Sequence, residues 1–388
     1  MWLTGDWISR PATQDVCSVF SAAGHQIMFV GGCVRNALLE APVLDIDLAT
    51  NARPETIINL CQMAGFKVIP SGLEHGTVTV VSKGLAHEVT SFRRDVATDG
   101  RHAVVAFSDK ISEDAQRRDF TMNALYVTPH GKIVDPLGGL PDLKARRVRF
   151  IENAGRRIQE DYLRILRFFR FSAIYGDPKI GFDPDALAAI EQNLHGLLRL
   201  SRERVGVEIK KLLAAIDPAP ALDGMRTTGV LSTILPSADD RTMAPLVHFE
   251  QLYKIAPDPI RRLAALVSNN ISDVSAALRL SKAETRQHTR LVAAVSNMQS
   301  TATLAYRLGA AGAWDVLVLR AALFESPIDS SSVEQVARGT AACCPVQSAD
   351  LISFFKGAAL GQALKDCEAR WIASEFQLTK KALLAIYK

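Results

Sequence analysis

Two carboxylates separated by one residue are the feature of this sequence that most directly suggests chemistry. Asp45 and Asp47 lie in an aliphatic segment that is predicted to form a strand over Val43–Ala49. Side chains at positions i and i+2 of a strand point to the same face. Because adjacent carboxylates repel each other unless a cation lies between them, the pair predicts a divalent metal site.

A glycine pair precedes these carboxylates by one short predicted helix. Gly31 and Gly32 stand at the start of a helix that continues through Arg35–Glu40. Glycines at such a position expose backbone N–H groups that can hold a phosphate. A metal site next to a phosphate site indicates phosphoryl or nucleotidyl transfer, in which a 3′-hydroxyl attacks the α-phosphorus of a triphosphate.

Glu88 is a candidate third carboxylate on a neighbouring predicted strand, Ala86–Thr90. It would complete the metal cluster or accept a proton from the attacking hydroxyl. A solvated glutamate on the face of a strand is the alternative interpretation, and the sequence does not decide between the two.

An arginine pair, Arg117 and Arg118, stands just before a segment that is predicted to be an apolar helix. Planar guanidinium groups suit phosphate oxygens. On that helix Asn123 would follow Asp119 by one turn and share its face. The alternative is a surface helix with an acidic first turn and exposed arginines.

A second arginine-rich segment contains Asp161 and Arg164, which are i,i+3 neighbours on a helix predicted over residues 157–175. An ordinary surface ion pair is one interpretation. The other is nucleobase selection, because Arg donates and Asp accepts hydrogen bonds. Cytosine and adenine both present an acceptor nitrogen beside a donor amino group. Uracil and guanine would leave unpaired groups, at a cost of roughly 1–3 kcal/mol each.

The elements that must position these residues change in character along the chain. Strands and helices alternate in the N-terminal part, which indicates an α/β domain with a mixed sheet. Helical periodicity takes over from about Arg147, and a Pro-rich break follows at Asp217. We therefore expect three parts, namely residues 1–147, 148–217 and 218–388.

Composition adds broad limits. The chain has 388 residues, 48% of them hydrophobic, and a formal net charge of +4, which is a weak sign of a nucleic-acid substrate. Six cysteines form no CxxC motif, so we expect buried thiols in a reducing compartment rather than a zinc site or disulfides. The N-terminus has no signal-peptide pattern and no segment is apolar enough to span a membrane. The expectation is a soluble cytoplasmic protein with no membrane or protein partner evident.

Together these segments resemble the class II tRNA nucleotidyltransferases, which are the CCA-adding enzymes, and their relatives the bacterial poly(A) polymerases. The order and spacing of the matching segments agree with the family over roughly residues 25–215. The segments are Gly31-Gly32-x-Val34-Arg35 with Asp45-x-Asp47, Glu88–Arg93, Arg117–Ala124 without its Met122, Glu160-Asp161-x-x-Arg164, and Arg204–Glu208.

The resemblance implies a head domain with the polymerase-β-like nucleotidyltransferase fold, followed by an all-α neck, body and tail. It implies template-independent addition of CCA to the 3′ end of tRNA from CTP and ATP, with Mg²⁺ bound by Asp45 and Asp47. The residues then expected to contact the nucleotide are Gly31, Gly32, Arg35, Arg117, Asn123, Asp161, Arg164 and Arg167.

Other activities remain open on the same motifs. A poly(A) polymerase that adds AMP to RNA 3′ ends, a partial enzyme that adds only CC or only A, and an inactive RNA-binding protein all share this scaffold. The resemblance implies that the polar segment Arg94–His102 helps to switch from C to A addition, and its presence favours the full activity. An ordinary surface loop is the alternative for that segment. One position departs from the family, which usually has Asp where this chain has Asn36.

Overall fold

The computed structural model of the protein describes residues 1–99, 102–268 and 271–387. The chain divides into two compact units, Met1–Pro236 and Ser237–Lys388. The first unit contains every strand that the described residues form, and the second is helical. The predicted boundaries at residues 147 and 217 both fall inside the first unit, and the division into three parts stays a prediction.

The strands of the first unit are short, and most follow one another closely in the chain. They are β1 Ile27–Val30, β2 Asp47–Thr50, β3 Lys67–Gly72, β4 Thr77–Ser82, β5 Leu85–Ser91, β6 Arg93–Asp99, β7 His102–Phe107, β8 Tyr126–Val127 and β9 Ile133–Val134.

The helices of the first unit flank and follow these strands. They are α1 Asp6–Ser9, α2 Pro11–Ala22, α3 Gly32–Leu38, α4 Pro54–Met63, α5 Ile111–Gln116, α6 Leu140–Lys144, α7 Ala154–Glu160, α8 Leu163–Tyr175, α9 Pro184–Gln192, α10 Arg202–Leu213, α11 Ala219–Thr227 and α12 Val230–Ile234. A proline at the first position starts α2, α4 and α9, where its missing N–H has no helical partner to lose.

Seven strands form one mixed sheet in the order β3-β4-β5-β2-β1-β8-β9. The central pair β2 and β5 is parallel, whereas the other neighbouring strands are antiparallel. A parallel pair requires a crossover connection, which here consists of α4 and the β3–β4 hairpin. The predicted α/β class with a mixed sheet is confirmed.

Helices α2 and α4 contact β4 and β5 and cover one face of the sheet. Val78, Val80 and Val89 point toward these helices and are fully buried. The alternate residues of β5, among them Glu88, are exposed or half-buried. The face opposite the helices is therefore the accessible one, and it is the face that carries Glu88.

The helices after residue 150 of the first unit pack through aromatic side chains. Phe168 on α8 stacks on Phe150, with ring centroids 5.6 Å apart, and Phe120 packs beside both rings. Arg170 on α8 donates through Nε to Glu208 Oε2 of α10 at 2.5 Å. This packing attaches α8 firmly to the sheet domain and to the next long helix.

The described residues of the second unit include two apolar clusters. Its helices are α13 Met243–Leu252, α14 Pro259–Leu266, α15 Ile271–Ala277, α16 Lys282–Ser296, α17 Thr301–Phe324, α18 Ser332–Ala341, α19 Ser348–Leu351, α20 Ala358–Ala373 and α21 Lys380–Leu384. One cluster centres on α17, and the other lies around Trp371 of α20. A buried ion-pair network joins Glu250 to Arg261 and Arg262 at 2.6 and 2.7 Å.

Several predicted elements differ from the structure. The strand that contains Asp47 begins at that residue, so Asp45 precedes it. The helix predicted over 157–175 is broken, because Asp161 has extended backbone angles between α7 and α8. The polar segment after Glu88 forms the β6–β7 hairpin rather than a loop. In contrast, the two helices predicted over 300–309 and 312–324 meet at a kink, where Gly309 has φ +73°.

The cysteines are free thiols, and most are buried as predicted. Cys17, Cys33, Cys61 and Cys367 are buried, whereas Cys343 is exposed and Cys344 is half-buried. Within the described part of the chain, no helix is both long enough and apolar enough to cross a bilayer.

Candidate active site

The sheet register places two of the predicted carboxylates side by side. Asp47, the first residue of β2, is paired in register with Glu88 of β5. Burial raises the pKa of Asp47 to about 6, with further increases from the negative charges of Glu88 and Asp45 and a decrease from Arg118. Glu88 and Asp45 therefore lie close enough to Asp47 to act on it electrostatically, although Asp45 stands outside the strand.

The glycine turn lies directly against this cluster. Gly31 has φ +74°, a left-handed conformation that favours glycine. A Cβ built on Gly31 would lie 3.9 Å from Asp47 Oδ2 and 3.6 Å from Arg118 Nη1. The turn, one carboxylate and one arginine of the pair thus meet at a single point. The sequence predicted the turn and the carboxylates as neighbours, and the arginine pair as a separate motif.

The arginine pair follows a helix instead of preceding one, which corrects the predicted order. Arg117 is the C-cap of α5, and the residues after it form a short 3₁₀ turn over Thr121–Asn123. Both guanidinium groups bind Asp114, which is fully buried: Arg117 at 2.8 Å and Arg118 at 3.1 Å. Burial alone would raise the pKa of Asp114, but the two arginines hold it well below its usual range.

A second carboxylate organises the residues between the sheet and α8. Asp119 Oδ1 accepts from Asn123 Nδ2 at 2.9 Å, and Asp119 Oδ2 accepts from Arg167 Nε at 2.7 Å. Asn123 Oδ1 in turn accepts from Arg35 Nη1 at 2.6 Å. Asn123 and Asp119 therefore contact as predicted, although they do so across a turn and not on one helix.

The predicted Asp161–Arg164 side-chain pair is not formed in the described residues, although the backbone N–H of Arg164 donates to the Asp161 carbonyl at 3.0 Å. Arg164 Nη1 donates to Glu160 Oε2 at 2.8 Å, and Arg164 Nη2 donates to the carbonyl of Arg117 at 2.9 Å. Asp161 instead accepts from Arg204 Nη2 at 2.7 Å. The helix break at Asp161 explains the difference, because it turns that side chain away from the helical i,i+3 position.

Glu160 is the carboxylate that fixes the arginines of α7 and α8. It forms ion pairs with both Arg157 and Arg164, and Arg157 also donates to the carbonyl of Gln116 at 2.6 Å. Two arginines therefore reach the C-terminal carbonyls of α5, where a helix favours positive charge. A cleft of about 440 Å³ lies beside them, lined in part by Arg94, Arg117 and Glu160.

The sequence reasoning missed the residues that hold the arginines in place. Asp114 stands three and four residues before Arg117 and Arg118, and Glu160 stands four residues before Arg164. Such helical spacings are typical of ion pairs, so the signal was present in the sequence. Asn36, the residue that departs from the family, accepts from Arg35 Nη2 through Oδ1 at 2.8 Å.

A divalent cation fits this donor set. Asp47 carries a carboxylate whose ionisation is opposed by burial and by two neighbouring acids, which is the situation that a cation relieves. In the described residues no group of three or more His, Cys, Asp or Glu side chains is arranged to hold a metal. A cation here would be held by fewer than three protein carboxylates, and substrate phosphates can supply further oxygen ligands.

Comparisons with known proteins agree with this geometry. A family model described as "Poly A polymerase head domain" matches residues 27–149, and one described as "Probable RNA and SrmB- binding site of polymerase A" matches residues 181–241. The chain is thus similar to the CCA-adding enzymes and poly(A) polymerases in both of these regions. The predicted resemblance is thereby confirmed.

Individual members of the family are similar over much of the chain. The human mitochondrial CCA tRNA nucleotidyltransferase 1 is 36% identical over 278 residues, which cover 70% of this chain and 63% of the human protein. The CCA-adding enzyme of Geobacillus thermodenitrificans is 40% identical over 222 residues, which cover 56% and 52% of the two chains. The matched part thus spans roughly half to two thirds of these relatives.

A solved structure matches the fold along the chain's length. The Bacillus stearothermophilus CCA-adding enzyme, crystallised in complex with CTP, has a TM-score of 0.78 and 27% identity, with 97% of each chain covered. The family's α/β head and helical remainder are therefore present here. The predicted switch segment Arg94–His102 includes residues 100 and 101, which lie outside the described residues, and its role stays a prediction.

Proposed function

We propose that the protein is a template-independent nucleotidyltransferase that adds CCA to the 3′ end of tRNA from CTP and ATP. The observation that carries the proposal is the meeting of Gly31, Asp47 and Arg118 at one point. These residues combine a backbone turn for phosphate, a carboxylate for a cation and a guanidinium for a second phosphate contact. The similarity to an enzyme crystallised with CTP supports the choice of substrate.

In this proposal the carboxylates have two different roles, metal binding and proton acceptance. Asp45 and Asp47 hold Mg²⁺, which, when bound, supplies charge neutralisation of the triphosphate during attack by the 3′-hydroxyl. Glu88 is exposed next to Asp47 in the sheet register, a position suited to accept the proton of that hydroxyl. The burial of Asp47 strengthens its interaction with any cation, because the local dielectric constant is low.

The arginines hold the triphosphate and the base. Arg118 lies against the glycine turn, and Asp114 fixes both Arg118 and Arg117. At the start of α8, Arg164 and the helix-breaking Asp161 supply a donor and an acceptor for the base. Both side chains are held by partners, Glu160 and Arg204 respectively, so selection of the base requires these contacts to be exchanged for contacts with the nucleotide.

The tRNA is the proposed acceptor, and the helical part after residue 217 is proposed to bind it by shape and phosphate contacts. A family model for an RNA-binding region covers residues 181–241. The cytoplasmic location stays a prediction, and the human relative is named as a mitochondrial protein.

A single extension assay tests the activity. The protein is incubated with Mg²⁺, a tRNA that lacks its 3′ end, and each nucleoside triphosphate singly and in pairs. We expect growth by three residues that requires both CTP and ATP. Long tails from ATP alone would identify a poly(A) polymerase. Growth limited to CC or to A would identify a partial enzyme, and no extension would identify an inactive RNA-binding protein.

Replacement of the proposed metal ligands tests the site separately. We expect Asp45→Ala and Asp47→Ala to abolish nucleotide incorporation while tRNA binding, measured by filter retention, stays within about twofold of the parent, because neither residue is proposed to contact the RNA body. Retained turnover in either variant would show that the metal site is misplaced.

A further inference from the structure

Arg35 is a buried cation that forms no direct ion pair among the described residues. The residue is only 7% exposed. Within residues 1–99, 102–268 and 271–387, its guanidinium group forms no ion pair with a carboxylate. Its hydrogen-bond acceptors are neutral: Asn36 Oδ1 at 2.8 Å, Asn123 Oδ1 at 2.6 Å and the Tyr175 hydroxyl at 2.7 Å. Asp119 and Asp47 act on this charge electrostatically but are not hydrogen-bonded to it, so the guanidinium group is able to bind a further anionic ligand.

The place of this charge indicates what that ligand is. A Cβ built on Gly32, the first residue of α3, would lie 3.8 Å from Arg35 Nη2. Arg35 also acts electrostatically on Asp47. The guanidinium group therefore lies directly beneath the glycine turn, at the position where the proposed function places the phosphates of the nucleotide.

Tyr175, the last residue of α8, contacts this arginine. Arg35 Cζ lies 4.0 Å from the centroid of the Tyr175 ring and 5.0 Å from that of Phe171. The tyrosine thus combines a hydrogen bond to a charged donor with a cation–π contact. Asn36 and Asn123 both come from the sheet domain, so Tyr175 supplies the hydrogen bond from α8 to the arginine, beside the ring contact of Phe171.

We propose that Tyr175 is a positioning residue of the nucleotide site, which holds the guanidinium group of Arg35 against the glycine turn so that its charge supports the bound triphosphate. The proposal rests on the proposed function and extends it to a residue outside the family motifs. Tyr175 and Arg164 stand at opposite ends of α8. Loss of the Tyr175 contact should therefore weaken binding of the phosphates and leave base selection unchanged.

The test compares Tyr175→Ala and Tyr175→Phe with the parent protein. The control is Tyr253→Phe in the second unit, which also loses the contacts of a tyrosine hydroxyl, here to the backbone N–H and carbonyl of Ile328 at 3.0 and 3.4 Å. Affinities for CTP and ATP are measured by calorimetry, and KM and kcat by extension of a tRNA that lacks its 3′ end.

We expect Tyr175→Ala to weaken CTP and ATP equally, by about tenfold or more, since it removes a hydrogen bond to a charged group and a cation–π contact. Tyr175→Phe keeps the ring and should lose only about threefold. KM should rise while kcat and the discrimination against UTP and GTP stay as in the parent. Tyr253→Phe should change none of these quantities.

Three results would overturn the proposal. They are parent-like affinity for both triphosphates in Tyr175→Ala, a fall in kcat at unchanged KM, and a loss confined to one of the two bases. The proposed function fails in a different way, namely when the parent protein extends no RNA. Calorimetric binding of CTP and ATP still decides the role of Tyr175 in that case.

Discussion

Asp114 offers the most direct test of how the arginine pair is held, through the substitution Asp114→Asn. The carboxylate is fully buried and accepts from Arg117, Arg118 and the Tyr126 hydroxyl, the last at 2.7 Å. Asparagine keeps the shape and one acceptor oxygen but loses the charge. Breaking a buried ion pair by removing one partner costs about 3–5 kcal/mol.

The lower end of that range applies here, because the two arginines keep some access to water, with side chains 14% and 17% exposed. We therefore expect the first unit to lose about 3 kcal/mol of unfolding free energy, which corresponds to roughly 100-fold faster exchange of its slowest amides. Hydrogen exchange followed by mass spectrometry measures this on peptides from residues 111–127. Peptides from residues 282–296, in the second unit, serve as the internal reference.

The pH dependence of the unfolding free energy gives a second test of the role of Asp114. The pKa of Asp114 lies below its usual value in the folded protein. Its stabilising contribution is therefore present above the unfolded pKa of about 4, and it is lost as the pH falls toward the lower folded value. The difference between the parent and Asp114→Asn should shrink as the pH is lowered from 6 toward 3.

A matched control separates this effect from loss of an ordinary surface charge. Asp109 has a side chain 72% exposed and lies 3.4 Å from Arg53, so Asp109→Asn should change the unfolding free energy by less than about 1 kcal/mol. Equal stability of Asp114→Asn and Asp109→Asn at pH 7 would refute the reasoning, and so would a difference that stays constant down to pH 3.

Three further outcomes are expected. Arg164→Ala should relax discrimination against UTP and GTP in single-nucleotide extension, and unchanged discrimination would count against its proposed role in base selection. Glu250→Gln should destabilise the second unit by about 3–5 kcal/mol in urea unfolding, because Arg261 and Arg262 then keep buried charges without that partner; an unchanged midpoint would contradict this. Burial lowers the pKa of His288, so the folded state disfavours its protonated form, and stability is lost as the pH falls below about 6.5. His288→Leu should flatten the melting temperature of the second unit between pH 7.5 and 5.5, and an equally steep fall in that variant would exclude His288 as the cause.

The sequence predicted features that depend on local spacing. Gly31 and Gly32 mark the turn, and the alternation around Val78 and Val80 gives a strand with one buried face. The order of strands and helices up to Thr90 follows from such patterns. The predicted strands made Glu88 a candidate neighbour of the paired aspartates, and the sheet register pairs it with Asp47.

Contacts between residues far apart in the chain could not be predicted from the sequence. Arg204 reaches Asp161 across 43 positions, and Tyr175 reaches Arg35 across 140. The break at Asp161 was missed because helical periodicity continues on both sides of it, while the backbone leaves the helix for one residue. Tertiary packing overrides local propensity at such positions.

The distribution of thiols has a practical consequence for labelling the molecule. Burial raises the pKa of Cys17 and of Cys61 to about 12, and that of Cys33 to about 11, so these groups stay protonated and inert toward electrophiles at neutral pH. Cys343, in contrast, is exposed on the second unit. A maleimide dye should therefore attach there first, and it would place a fluorescent reporter on the helical unit while leaving the carboxylates and arginines of the sheet domain unmodified.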